Sequence, residues 1–175
     1  MKLKDGKPAL RIQRGKATDV PLILEMIRGL ALYERLSHQV TATTARLRAH
    51  GFGPSPYFRT LICRRGNQAV GFTLYFFTYS TFLAQPTLYV EDIYVLPEAR
   101  GQGAGKALLS ELARIAMKRK CGRMEWAVLD WNTPAIRFYK SLGAGLRRQW
   151  ILTRLTGASL VRLARGNTGK SRPQL

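Results

Sequence analysis

Leu88-Tyr89-Val90-Glu91-Asp92-Ile93-Tyr94-Val95, followed by Leu96-Pro97-Glu98-Ala99 and Arg100-Gly101-Gln102-Gly103-Ala104-Gly105-Lys106, reads as a β-strand, a turn, a glycine-rich loop and the opening of a helix. The first eight residues are aliphatic, β-branched or aromatic apart from two acids, and Pro97 closes the run. Beyond the loop, Leu108, Leu112, Ile115 and Ala116 recur at helical spacing.

A glycine loop between a strand and a helix is suited to hold an anion. Glycines let backbone N–H groups turn inward, and the helix N-terminus adds positive potential. Arg100 offers a bidentate partner for phosphate at the mouth of the loop. The two commonest nucleotide loops fail on residue identity. A P-loop needs Gly at position 100 and Ser or Thr at 107, where Arg100 and Ala107 stand; a dinucleotide fingerprint starting at Gly101 needs Gly at Lys106. A glycine-rich connection with no ligand is the alternative on this loop alone.

The chain has 175 residues, the size of one domain with a real core, and its 46 % apolar content is ordinary for a globular protein. No apolar run approaches the roughly 18 residues that span a bilayer, and the charged start Met1-Lys2-Leu3-Lys4-Asp5 has no apolar region behind it as a secretory signal would. Cys63 and Cys121 are too few for a disulfide framework and stand in no metal-ligand cluster, so the composition points to a reducing cytoplasm and to no metal. Lys and Arg number 29 against 10 acids, a net charge of +19, with no acid between Glu34 and Glu91 or after Asp130. That balance favours anionic partners and repels polycations; a solvated basic surface is the plainer reading.

In chain order, residues 1–8 read as a flexible leader, residues 9–165 as one domain and residues 166–175 as a basic polar tail. Ala9 to Arg14 alternates as a first strand. Thr18, Asp19 and Pro21 open a helix that runs to about Tyr33, and a second short helix covers Thr43 to Ala49. Tyr57–Cys63 and Ala69–Phe77 flank the turn Arg64-Arg65-Gly66-Asn67 as a hairpin, with Thr78 to Pro86 a loop before the central strand. The helix after the glycine loop ends near Lys118-Arg119-Lys120. Met124 to Leu129 follows as a strand, Ala135 to Leu142 as a short helix capped by Asn132, and Gln149–Leu155 and Ser159–Ala164 as two last strands. Strands interleaved with helices, plus a hairpin, give a mixed α/β sheet.

Two constellations carry chemistry. By strict alternation Glu91 shares a face with Tyr89, Ile93 and Val95, so burial among apolar neighbours is expected to raise its pKa into the range of a general base; a salt-bridged structural Glu is the alternative. Asp92 faces the other way and reads equally as a structural hydrogen-bonding residue. In Trp131-Asn132-Thr133-Pro134-Ala135-Ile136-Arg137-Phe138-Tyr139, Asn132 can cap the helix or bind a ligand's amides, and Tyr139 lies two turns on, roughly on the same face. A phenol, with an ordinary pKa near 10, can protonate a departing thiolate; core packing is the alternative.

Arg100-x-x-Gly-x-Gly behind a strand holding Glu91, with Asn132 and Phe138-Tyr139 ahead of Gly143, resembles the GNAT N-acetyltransferase superfamily. The resemblance extends to its diamine (spermidine/spermine) N-acetyltransferase branch through Leu32-Tyr33-Glu34, His50-Gly51-Phe52-Gly53, Tyr75-Phe76-Phe77-Thr78-Tyr79, Tyr89-Val90-Glu91-Asp92 and Trp131-Asn132, covering about Ala9 to Ala164. It implies a mostly antiparallel mixed sheet that splays between its fourth and fifth strands, where acetyl-coenzyme A enters. It further implies Tyr139 as general acid to the thiolate and Glu91 as the acid that contacts the amine and assists its deprotonation. The backbone of Ile93, Tyr94 and Val95 would hold the acetyl carbonyl and pantetheine arm. Arg100, Gly101, Gln102, Gly103, Ala104, Gly105 and Lys106 would cradle the pyrophosphate, with Asn132 and Ala135 on the cofactor's other side. Tyr33 and Glu34 match substrate-side residues, and a homodimer is implied.

Departures from the branch bear on the acceptor. Where the polyamine enzymes carry further acids, this chain has Arg35-Leu36-Ser37-His38 and Arg147-Arg148-Gln149. A polycation site should be lined by carboxylates. A small amine with its own carboxylate, such as lysine or thialysine, suits Glu34, Glu91 and the added arginines better than spermidine. Alternatives that stay open are a protein amine as acceptor, and a non-catalytic acetyl-coenzyme A sensor whose basic surface serves nucleic acid.

Overall fold

A computed structural model describes residues 8–166; apart from Pro8 and Gly166, the expected leader and tail lie outside the described residues. The chain divides after Ala127 into two compact units.

The first unit holds β1 (Leu10–Arg14), α1 (Val20–Tyr33), α2 (Thr44–Phe52), β2 (Arg59–Arg65), β3 (Gln68–Ser80), β4 (Gln85–Val95), α3 (Ala104–Lys118) and β5 (Arg123–Trp126). The strands form one sheet in the order β1-β2-β3-β4-β5, antiparallel until β4 meets β5 in parallel. Pro21 stands in the first turn of α1, where its missing N–H costs nothing. Thr43 caps α2 by accepting from the Arg46 N–H at 3.2 Å. The α2 helix outlasts the expected end at Ala49 by a turn. Gly51 lies within the helix, and a Cβ there would come within 2.5 Å of the Phe58 ring, so the glycine serves close packing and does not end the helix.

The core is buried on both faces of the sheet. Ile23 and Met26 of α1 pack with Phe72, Leu74 and Tyr94, while α3 buries Leu108, Leu109, Leu112 and Ala116 against the strands. Fully burying each of these large apolar side chains contributes roughly 1.5–3 kcal/mol.

Two details of the sheet position the site. First, Leu74 pairs with Asp92 but the next residue, Tyr75, pairs with Val90, so Glu91 is the extra residue of a β-bulge. Second, β5 pairs with β4 only as far as Val90↔Trp126, so β4 runs on from Glu91 to Val95 without β5 beside it. The expected splay between the fourth and fifth strands is therefore present, and β5 is shorter than the Met124–Leu129 expected. The Thr78–Pro86 loop is replaced by continued pairing to Ser80↔Gln85; Thr78, Tyr79 and Thr87 are strand formers that carry the hairpin past Pro86.

The second unit contains α4 (Thr133–Ser141) and α5 (Gly157–Ala164). The two strands expected at Gln149–Leu155 and Ser159–Ala164 are absent: the first has no regular structure and the second is helical. A strand needs a ladder partner for its backbone groups, whereas a helix satisfies them internally. A short apolar run such as Leu160-Val161-Arg162-Leu163 does not distinguish the two by periodicity.

Candidate active site

The bulge at Glu91 redirects the two acids of β4. Cross-strand partners share a sheet face, so Asp92 lies with Leu74 on the face that α1 covers, together with Tyr94 and Phe72. Thr73 fixes the backbone there by donating to the Asp92 carbonyl at 2.7 Å. Glu91 is exposed. The expectation of a buried Glu91 is thus corrected: strict alternation fails at an inserted residue, and Asp92 takes the inward position.

Burial pushes the Asp92 carboxyl up from its ordinary 3.8 to about 7, and the negative charges of Glu91 and Glu34 push the same way. Glu34, at the end of α1, is also raised by burial. Glu34 and Glu91 therefore act on Asp92 where β4 leaves β5, and together with burial they favour its protonated form. Beside them Tyr33 lies under the Arg100 guanidinium, 4.4 Å from Cζ to ring centroid, and Arg100 Nε donates to the Val95 carbonyl at 3.1 Å. Arg100 is thus held over the aromatic end of α1 and tied to β4 through its Nε.

The glycine loop is built as expected. A single turn at Pro97–Ala99 precedes it, Gly101 and Gly103 take φ of +70° and +86°, and α3 starts at Ala104. The N–H groups of the first turn of α3 have no intrahelical acceptor, and a Cβ on Gly101 would meet nothing within 4 Å. Open space over a helix N-terminus fits a pyrophosphate. Gln102 organises the loop: its amide donates to the Glu98 carbonyl at 2.7 Å, and its side-chain and backbone oxygens accept from Arg65 at the end of β2. Ile93 and Val95 are half-buried and Tyr94 is buried on β4. A cavity of about 520 Å³ runs along α1 past Met26, Gly29, Tyr94 and Leu96, and Glu34, Glu91 and Asp92 are not part of its lining.

In the second unit, Asn132 caps α4: its Oδ1 accepts from the Ala135 N–H at 3.3 Å. Tyr139 is buried on α4 with its ring 5.5 Å from that of Phe138. Among the described residues no group of three potential ligands can hold a metal, and no helix is long and apolar enough to cross a membrane.

Residues 26–144 match the Acetyltransferase (GNAT) family. The chain belongs to that family and is an acetyltransferase. It is 39 % identical over 165 residues to a thialysine N-epsilon-acetyltransferase of Mus musculus, an alignment covering 88 % of this chain and 96 % of that one. An L-ornithine N5-acetyltransferase of Arabidopsis thaliana is 33 % identical, with 86 % of each chain covered. Among solved structures, an integron cassette protein from the mobile metagenome of V. cholerae superposes with a TM-score of 0.75 at 26 % identity, covering 89 % of this chain and 98 % of that one.

Strict alternation turns Asp92 away from Glu91's expected buried face, and only the bulge brings it inward; nothing local announces it. Arg65 lies 37 positions from Gln102 and carried no signal at all.

Proposed function

We propose that this protein transfers the acetyl group of acetyl-coenzyme A to the side-chain amine of a small amino acid of the lysine, thialysine or ornithine kind, by direct attack. The observation that carries the reading is a carboxyl held near pH 7 at the splay of a GNAT sheet. Two relatives named for amino-acid acceptors support the class, as does the scarcity of acids that a polycation would need.

An alkylammonium must lose a proton before it attacks. Asp92 is the acceptor best suited to that work, since a base titrating near the operating pH is both present in its basic form and strong enough. Glu34 and Glu91 hold the cationic end of the acceptor, with Tyr33 beside them. Acetyl-coenzyme A supplies the thioester; Gly101 to Lys106 hold its pyrophosphate, the β4 backbone at Ile93, Tyr94 and Val95 its pantetheine arm, and Asn132 and Ala135 its other side. Arg100 carries its charge to the acceptor side, where it pairs with the amino acid's own carboxylate. Tyr139 returns a proton to the leaving thiolate. We read residues 9–165 as one domain, which the family match across Ala127 supports, and the assembly as a homodimer without nucleic acid.

The test is kcat/KM for thialysine and lysine against spermidine. The proposal expects the amino acids to exceed spermidine by at least about tenfold; spermidine as the better acceptor would overturn it.

A further inference from the structure

A second cavity, of about 230 Å³, opens at the far end of α3 from the glycine loop. Fifteen helical residues at 1.5 Å rise separate the two by about 20 Å. Its walls include Arg14, Arg59 and Arg119, the aromatic rings of Phe52, Tyr75 and Phe77, and Thr60. The Arg59 and Arg119 guanidiniums both lie over the Phe77 ring, at 5.5 and 5.8 Å from its centroid.

Three guanidiniums so placed repel one another unless an anion joins them, and among the described residues no carboxylate bridges them. α2, β1, β2 and β3 carry no Asp or Glu at all, and α3 carries only Glu111, which is engaged by Arg114. Among the described residues none of the three arginines has a carboxylate within ion-pair distance. All three line the cavity beside Tyr75, whose hydroxyl is pushed up by burial, drawn down by the three arginines and pushed up again by Glu111. Thr60 is 4 % exposed and its hydroxyl has no hydrogen-bond partner, a buried polar group of the kind that a ligand or water satisfies. The carbonyl end of α3 disfavours an anion here, but by less than charge-assisted bonds to three arginines gain. The volume is just below the range of drug-sized sites, which limits the occupant to a small molecule.

We propose that this cavity is a binding site for a small organic phosphate, its phosphate held by Arg14, Arg59 and Arg119 and its apolar body lying against Phe77 and Phe52. The site is separate from the donor loop and does not depend on the identity of the acceptor.

The experiment is calorimetric titration of phenyl phosphate, and of inorganic phosphate, into the full chain with and without saturating coenzyme A. The expected result is saturable phenyl phosphate binding that coenzyme A leaves in place and that exceeds inorganic phosphate. R59Q and R119Q, both at exposed positions and checked for an unchanged thermal midpoint, should each weaken it by about tenfold or more, the scale of one charge-assisted hydrogen bond. No saturable binding to the unaltered protein overturns the proposal without reference to any variant. So does binding that coenzyme A displaces, or binding that survives R59Q combined with R119Q.

Discussion

Replacing Asp92 with Asn should stabilise the protein and disable it. Asp92 is inward-facing with its carboxyl raised from 3.8 to about 7. Between those pH values the unfolded chain ionises while the folded one holds its proton, so the native state binds more protons and stability falls as pH rises. The loss is complete above about pH 7. At 1.36 kcal/mol per pH unit the interval is worth about 4 kcal/mol at most. An Asn carries no charge to desolvate and escapes that cost. Urea unfolding of both proteins at pH 4 and pH 8 measures the difference. The expected result is near-equal stability at pH 4 and a D92N variant up to about 4 kcal/mol more stable at pH 8, together with a loss of kcat/KM of about 10²-fold or more for a missing general base. In the unaltered enzyme kcat/KM for a lysine-like acceptor should rise with pH through about 7. A variant that is equally or less stable at pH 8, with no pH dependence in the difference, would refute the inward, desolvated placement that the bulge at Glu91 imposes.

Three further substitutions probe the donor side. R65Q removes the ties to Gln102 and should weaken acetyl-coenzyme A binding by about tenfold while kcat at saturation changes little; equal affinity by calorimetry would mean the loop holds its shape unaided. G103A places a side chain at φ +86° with Leu10 no closer than 3.9 Å, so backbone strain alone should cost about 1–2 kcal/mol of stability in urea. Tyr139→Phe should lower kcat by about 10²-fold or more with little change in KM; full turnover would remove Tyr139 from the chemistry.

The strand, glycine loop and helix from Leu88 to Lys118 were legible because each follows a local rule: β-branched and aromatic content, glycines where φ is positive, and apolar residues at helical spacing. The hairpin was legible from its turn. Other features were not. The bulge at Glu91 depends on how β3 and β4 register, a non-local property that reverses the burial expected of Glu91 and Asp92. The end of α2 was misjudged because Gly51 answers to the Phe58 ring and not to its own helix. The region after Gln149 was read as strands because Leu160, Val161 and Leu163 suit either state, and only the absence of a ladder decides. Loop residues at the donor site could be found by motif, but Arg65 and the arginines around Phe77 are brought together from β1, β2 and the residue that follows α3.

The account rests on acetyl transfer to an amine, and thiol release from acetyl-coenzyme A with thialysine as acceptor measures it most directly. The account predicts one thiol released per acetylated side-chain amine, with the rate rising through about pH 7 as Asp92 ionises. Acetyl-coenzyme A binding without thiol release across thialysine, lysine, ornithine and spermidine would contradict it.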